Sequence, residues 1–239
     1  MSIIQYVFYF SPHQDDELLN LGAAMCKDID AGYEVFCVLC TDGGASGARL
    51  LIGDGGCCQW HEGRHDYSMD RAAFSAARDR EFTESCRALG VKEDHILIPQ
   101  NRMADGGSTV DGAKQIMRDA IKDYPPEQVA VKTLSPVDWQ HQNVDHTALA
   151  KAALQLREEG RCALVEEYLE TILFPAPEGT MMIETITPDD TQKKRLLTAA
   201  ESYCRWQPEE GRFAVGFHSV ADEFIEFGKE QISRLMIRR

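Results

Sequence analysis

The chain has 239 residues, 44% hydrophobic and 27% charged, which suits one globular α/β-sized domain spanning 1–239 with a buried core. Its formal net charge of −14 excludes nucleic acid and anionic membrane surfaces as natural partners, and no apolar run approaches the roughly 20 residues that span a bilayer. The start, MSIIQYVFYFSPHQDDE, lacks the basic segment of a secretory signal, so a cytoplasmic location is expected and a disulfide framework among the eight cysteines is not.

Strand-like and helix-like stretches alternate along the chain. Ile3 to Phe10 reads as a strand, and Asp15 to Ala31 as one helix stopped by Gly32. Tyr33 to Cys40 is a second strand, rich in β-branched and aromatic residues. Cys37 and Cys40 have CxxC spacing, but residues three apart on a strand point to opposite faces, so the pair is expected to pack rather than to share a metal. Thr41 to Met69 is glycine-rich and irregular, with Cys57 and Cys58 as loop thiols. Arg71 to Leu89 is a helix ended by Gly90, and His95 to Ile98 a short strand. Asp111 to Tyr124 is a helix stopped by Pro125-Pro126, Gln128 to Leu134 a strand, and Val144 to Glu159 a helix ended by Gly160. Tyr168 to Phe174 and Met181 to Ile186 read as strands, and Pro188 to Tyr203 as a helix capped by Thr187 or Asp189. The stretch from Ala221 is mixed. This alternation predicts an α/β fold with a mainly parallel sheet, whose ligands bind beyond the carboxyl ends of the strands.

The segments after strands one, two and four therefore carry the search. After the first comes Ser11-Pro12-His13-Gln14-Asp15-Asp16-Glu17, a turn without the glycines of a dinucleotide site. Capping by Asp15 or Asp16 accounts for one carboxylate and leaves His13 and the second aspartate unexplained. After the second comes Thr41-Asp42-Gly43-Gly44, where glycines make a turn or let the backbone approach a ligand. After the fourth, His141, Asn143, Asp145 and His146 crowd the entry to a helix. Zinc takes nitrogen and carboxylate ligands and keeps one position open in catalytic sites; His13, Asp16 and His146 supply such a set. A rival pair, His61 and His65, has the HxxxH spacing that needs a helix, but Gly63 argues against one, and the segment is expected to cover the substrate.

These blocks together resemble the LmbE-like, or PIG-L, family of N-acetylglucosaminyl deacetylases. Pro12 to Glu17 is similar to its (P/A)HPDDE signature with glutamine for proline, and Thr41 to Gly47 to its T-x-G-x-x-G turn. Arg78 to Glu81 is similar to its R-x-x-E helix, and Asn143 to His146 to its H-P-D-H block, so the likeness covers about the first 150 residues. The resemblance implies a Rossmann-like, three-layer α/β/α fold and a mononuclear zinc hydrolase. His13, Asp16 and His146 would hold the metal, zinc or another divalent transition ion, and Asp15 would be the general base. Arg78 would help position the substrate or the helix itself, and Gly43 and Gly44 would face the substrate. The first histidine of H-P-D-H, which stabilises the tetrahedral intermediate or protonates the amine, is replaced here by Asn143, with His141 two residues earlier.

The expected reaction is hydrolysis of an N-acetyl group on a small amino-sugar compound. Asp15 takes the proton of the attacking water and Asp145 orients a histidine. A thiol-sugar conjugate or another N-acyl compound is the alternative substrate, and a metal-stabilised sugar-binding protein without turnover is the alternative from another class. A homo-oligomer is compatible with everything in the sequence.

Overall fold

A computed structural model describes residues 4–53, 55, 58–60, 65–135, 143–170 and 182–237. Five parallel strands form the body of the sheet: β1 (Tyr6–Ser11), β2 (Glu34–Leu39), β3 (Ile96–Leu97), β4 (Val129–Leu134) and β5 (Leu164–Leu169). The sheet is completed by β6 (Met182–Ile186) and β9 (Ser233–Ile237), which pair antiparallel, in the order β3-β2-β1-β4-β5-β9-β6. A two-stranded ribbon, β7 (Trp206–Gln207) with β8 (Arg212–Phe213), stands apart. The helices are α1 (Asp16–Leu19), α2 (Gly22–Asp30), α3 (Ala48–Gly53), α4 (Arg71–Leu89), α5 (Val110–Ile121), α6 (Val144–Glu158), α7 (Asp190–Cys204), α8 (Val215–Ser219) and α9 (Ala221–Lys229).

The expected α/β class and its mainly parallel sheet are what the chain adopts. The central strand is apolar on both faces, as a parallel strand between two helical layers must be. Val7 and Tyr9 join α2, α4 and α7 in one core, and Phe8 and Phe10 join α5 and α6 in the other. Cys37 and Cys40 fall in these two separate cores, so the CxxC pair is split by the sheet. Strand order reverses at β1, which has β2 on one side and β4 on the other. The crevice between the loops after β1 and β4 is the switch point where open α/β sheets bind ligands.

Several boundaries differ from the sequence expectation. The helix expected from Asp15 to Ala31 is broken into α1 and α2. Asn20 turns its amide back to Asp16 Oδ1 at 3.0 Å, and the break lets Gly22 approach α7, where an added Cβ would lie 2.8 Å from Leu196 Cδ2. The irregular stretch from Thr41 contains α3, whose Ala48 and Ile52 pack against Phe74, Ala77 and Val215. The strand placed at Tyr168 to Phe174 is β5, which starts earlier, at Leu164. Polar Glu166 and Glu167 hide its start, although Glu167 is buried at 4% exposure. Asp189, the second of the two proposed caps, closes α7 in a capping box with Gln192. Among the described residues no helix is long and apolar enough to cross a membrane.

Candidate metal centre and catalytic cleft

The chain leaves β1 through a strained turn. Asp15 has φ 127°, a conformation that a residue with a Cβ rarely adopts. Neither Asp15 nor Asp16 caps α1 with its side chain, contrary to the simplest reading of two aspartates at a helix start. The turn is fixed instead from below by Glu17, fully buried, which accepts from the Asp15 backbone N–H at 3.0 Å, Ser85 Oγ at 2.6 Å and Tyr203 OH at 2.6 Å. Arg78 of α4 fixes it from the side, donating to Gln14 O at 2.7 Å, Gly43 O at 2.9 Å and Asp15 Oδ2 at 3.0 Å. At 3% exposure Arg78 is no surface arginine, and it lines the cleft. Gln14, which stands where the resemblance has proline, donates to Asp79 Oδ1 at 2.8 Å and so ties the turn to α4 a second time.

The turn after β2 closes over this arrangement. Thr41 Oγ1 donates to Pro12 O at 2.8 Å. Gly43 has φ +62°, and a Cβ there would lie 2.0 Å from Gln14 Oε1, so this position needs glycine for both conformation and space. A Cβ on Gly44 would meet Arg71 at 2.4 Å. The cleft wall itself is built by the next residues, Ala45, Ser46 and Gly47, while Gly43 and Gly44 pack behind it.

His13, Asp16 and His146 meet at the switch point. His13 Nδ1 is 3.1 Å from Asp16 Oδ2, and His146 Nε2 is 3.4 Å from both of those atoms. Each histidine is backed through its other nitrogen. Asp145 Oδ2 is 2.9 Å from His13 Nε2, and Glu170 Oε1 is 2.6 Å from His146 Nδ1. A carboxylate behind a ring nitrogen keeps the proton there and turns the opposite lone pair outward. Two imidazole lone pairs and a carboxylate then converge on one point, a donor set that a shared cation would satisfy. Donors held about 2.0–2.1 Å from a tetrahedral zinc ion stand about 3.3 Å apart, so the spacing and the chemistry of the three fit a zinc ion. His13 also groups with Asp105 and Asp145. That side is a backing shell, because Asp145 is already engaged by the Gly106 N–H at 2.8 Å and the Ser108 N–H at 3.0 Å.

The electrostatics follow from these contacts. Burial opposes a charged His13, but Asp105, Asp145 and Asp16 outweigh it and raise its pKa well above the ordinary value. Burial also opposes a charged His146, yet Asp16 and then Glu170 lift it to about 9. Asp16, buried too, is held well below the usual carboxylate range chiefly by His146 and His13. Asp15 goes the other way: burial pushes it up to about 7, with Arg78 pulling down and Asp16 pushing up. Two adjacent carboxyls are thus separated in character, one a fixed anion and the other poised near neutrality.

Asn143 is the N-cap of α6, its Oδ1 accepting from the backbone N–H groups of Asp145 at 2.9 Å and His146 at 3.3 Å, and it also lines the cleft. His141 lies outside the described residues. Of the HxxxH pair, His61 is likewise outside them, while His65 is 3% exposed and stacks near Trp206 at 4.2 Å between centroids, so it is a buried residue rather than part of an open cover. Cys58 is a loop thiol as expected, but buried at 6%, and Cys57 lies outside the described residues. The cleft encloses about 470 Å³. Asp105, Glu170 and Glu223 line it as well, and the sequence reading missed all three.

Residues 8–157 match the model of a family described as PIG-L, GlcNAc-PI de-N-acetylase. No curated protein matches significantly. A deacetylase of the teicoplanin biosynthesis pathway, solved in complex with bog, is similar over 98% of this chain and 99% of its own at 15% identity, TM-score 0.65. N,N'-diacetylchitobiose deacetylase from Pyrococcus horikoshii is similar over 98% of this chain and 84% of its own at 18% identity, TM-score 0.57. GalB, the 4-carboxy-2-hydroxymuconate hydratase of Pseudomonas putida KT2440, is similar over 98% and 95% at 14% identity, TM-score 0.55. At such identities the likeness concerns the fold, and a hydratase among the neighbours means that the reaction must be argued from the site.

Proposed function

The chain belongs to the PIG-L family, and on that premise we propose that it is a metal-dependent hydrolase that removes the N-acetyl group from an N-acetylglucosamine-type amino-sugar compound. The observation that carries this reading is Asp15: a carboxyl forced into the cleft at φ 127°, beside the three-donor cluster but outside it, and held by Arg78. A binding protein has no use for such a group, whereas a general base works best with a pKa near the operating pH. His13, Asp16 and His146 would hold the ion, zinc being the best fit to their donor set. When bound, zinc supplies Lewis acidity, acidifying a water toward a pKa of about 7 and polarising the acetyl carbonyl.

The protein's own residues do the rest. Asp15 takes a proton from the attacking water and returns it to the departing nitrogen. Arg78 holds Asp15 Oδ2 and keeps the carboxyl from drifting higher in pKa. Asp145 and Glu170 keep the ring orientations of His13 and His146. The carboxyls of Asp105 and Glu170 give the cleft an acidic lining, which favours a neutral sugar over an anionic one.

Asn143 stands where the family's histidine would stabilise the oxyanion. Its Oδ1 accepts in the helix cap, and its amide Nδ2 is the donor end of a side chain that lines the cleft. Asn143→Asp keeps a capping acceptor and removes the donor. Its Tm should stay within a degree or two of wild type, by roughly equal cap energies, while kcat falls about tenfold or more. Unchanged kcat would assign the role elsewhere.

The reading is tested by incubating metal-loaded protein with a panel of N-acetylated amino sugars and following acetate and primary amine together. Deacetylation releases the two in equal amounts. Turnover of an unsaturated acid without acetate would instead place the chain with the hydratase.

A further inference from the structure

Cys58, His65 and His218 lie apart from the cleft chemistry and are all buried, at 6%, 3% and 9% exposure. One ligand atom of each lies within 4.8 Å of the other two. Cys58 Sγ and His218 Nε2 are 3.4 Å apart. We infer that these three residues form a second, structural metal site for a borderline-soft divalent transition ion of the zinc type, distinct from the catalytic cluster.

Three features point to a ligand set rather than to packing. First, His218 Nδ1 faces two backbone carbonyls, Ala214 O at 2.7 Å and Phe213 O at 3.1 Å. Only an N–H can bond there, so Nε2, the atom facing the sulfur, carries the lone pair in the neutral ring. Second, the Trp60 backbone N–H donates to Cys58 Sγ at 3.4 Å, so the sulfur is held in place as an acceptor beside His218. Third, a sulfur at about 2.3 Å and a nitrogen at about 2.0–2.1 Å from a tetrahedral ion stand about 3.5 Å apart, close to the spacing observed. Thiolate with two imidazoles is a donor set for zinc, where carboxylate-rich sets suit magnesium or calcium. The HxxxH spacing noted in the sequence thus contributes one of its two histidines, His65, to a site assembled from the α3–α4 connection and α8.

The site would have a mechanical purpose. It joins the segment after α3 to α8, and the residue after His218, Ser219, lines the cleft and meets Ser46 Oγ at 2.7 Å. An ion at Cys58, His65 and His218 therefore pins the wall of the active-site cleft without touching the reacting atoms. This inference does not rest on the reaction proposed above.

Cobalt(II) separates the two sites, because the cluster of His13, Asp16 and His146 holds no sulfur. Cobalt-loaded wild type should bind about two ions per chain and show thiolate-to-cobalt charge-transfer absorption. His146→Ala should keep that absorption and bind about one ion. Cys58→Ser should lose the absorption and keep the other ion. Cobalt-loaded wild type without the absorption, or His146→Ala protein that binds no metal, would overturn the inference, and both measurements stand even where Cys58→Ser fails to fold.

Discussion

Asp15→Asn is expected to lose roughly 10²–10⁴-fold in kcat, the usual contribution of a general base, while retaining its metal and its fold. The substitution is nearly isosteric. The amide oxygen can still accept from Arg78, and the backbone N–H of residue 15 still donates to Glu17 Oε2. What disappears is the ability to take a proton. Asp16→Asn is the informative contrast one position along. Asp16 Oδ2 stands among His13 Nδ1 and His146 Nε2, so a neutral amide there weakens metal binding itself. Metal content measured beside kcat distinguishes the two: unchanged in the first variant, reduced in the second. A kcat near wild type in Asp15→Asn would remove Asp15 as the base.

Arg78→Leu should be the most damaging change away from the metal ligands. Arg78 and Asp15 are 3% and 7% exposed, so removing the cation leaves the buried Asp15 carboxyl without its ion-pair partner and Gln14 O and Gly43 O without their donor. Breaking a buried pair in this way costs about 3–5 kcal/mol, a large part of an ordinary folding stability, and should lower Tm clearly. The pH profile gives a sharper reading. Arg78 lowers the Asp15 pKa, so its loss raises that pKa further above about 7. The base must be ionised to act; the rising limb of the rate profile therefore moves to higher pH, and activity lost at neutral pH returns partly in alkali. Arg78→Lys keeps a charge but not the fork that reaches three acceptors. It should show a smaller shift in the same direction. An unshifted profile in both variants would mean that Arg78 supports the fold alone.

Much of the site could be read from residues that lie close in sequence. His13, Asp15 and Asp16 share one turn, and Asp145 and His146 share another, so the strand-end rule needed only to bring two short segments together. Asp105 and Glu170 escaped because the rule was applied to three strand ends rather than five. Asp105 follows β3, only two residues long, and Glu170 follows β5 directly. Placing β5 late, at Tyr168 to Phe174, buried Glu170 inside an expected strand. Glu17 looked like a solvated charge, since sequence does not tell a surface carboxylate from one that meets Ser85 and Tyr203 across the core. The split of α1 from α2 was equally hidden, because it depends on how closely α7 approaches Gly22. Cys58, His65 and His218 come from segments whose only link is tertiary, and no local spacing announces them.

The central claim is metal-dependent hydrolysis of an N-acetyl group at His13, Asp15, Asp16 and His146. The most direct measurement is acetate release from an N-acetylated amino sugar by chelator-treated protein, titrated back with zinc, with His146→Ala titrated in parallel. Wild type should release no acetate after chelation and regain activity as zinc is restored, while His146→Ala stays inactive at every zinc level. Full activity in metal-free protein, or equal recovery in His146→Ala, would contradict it.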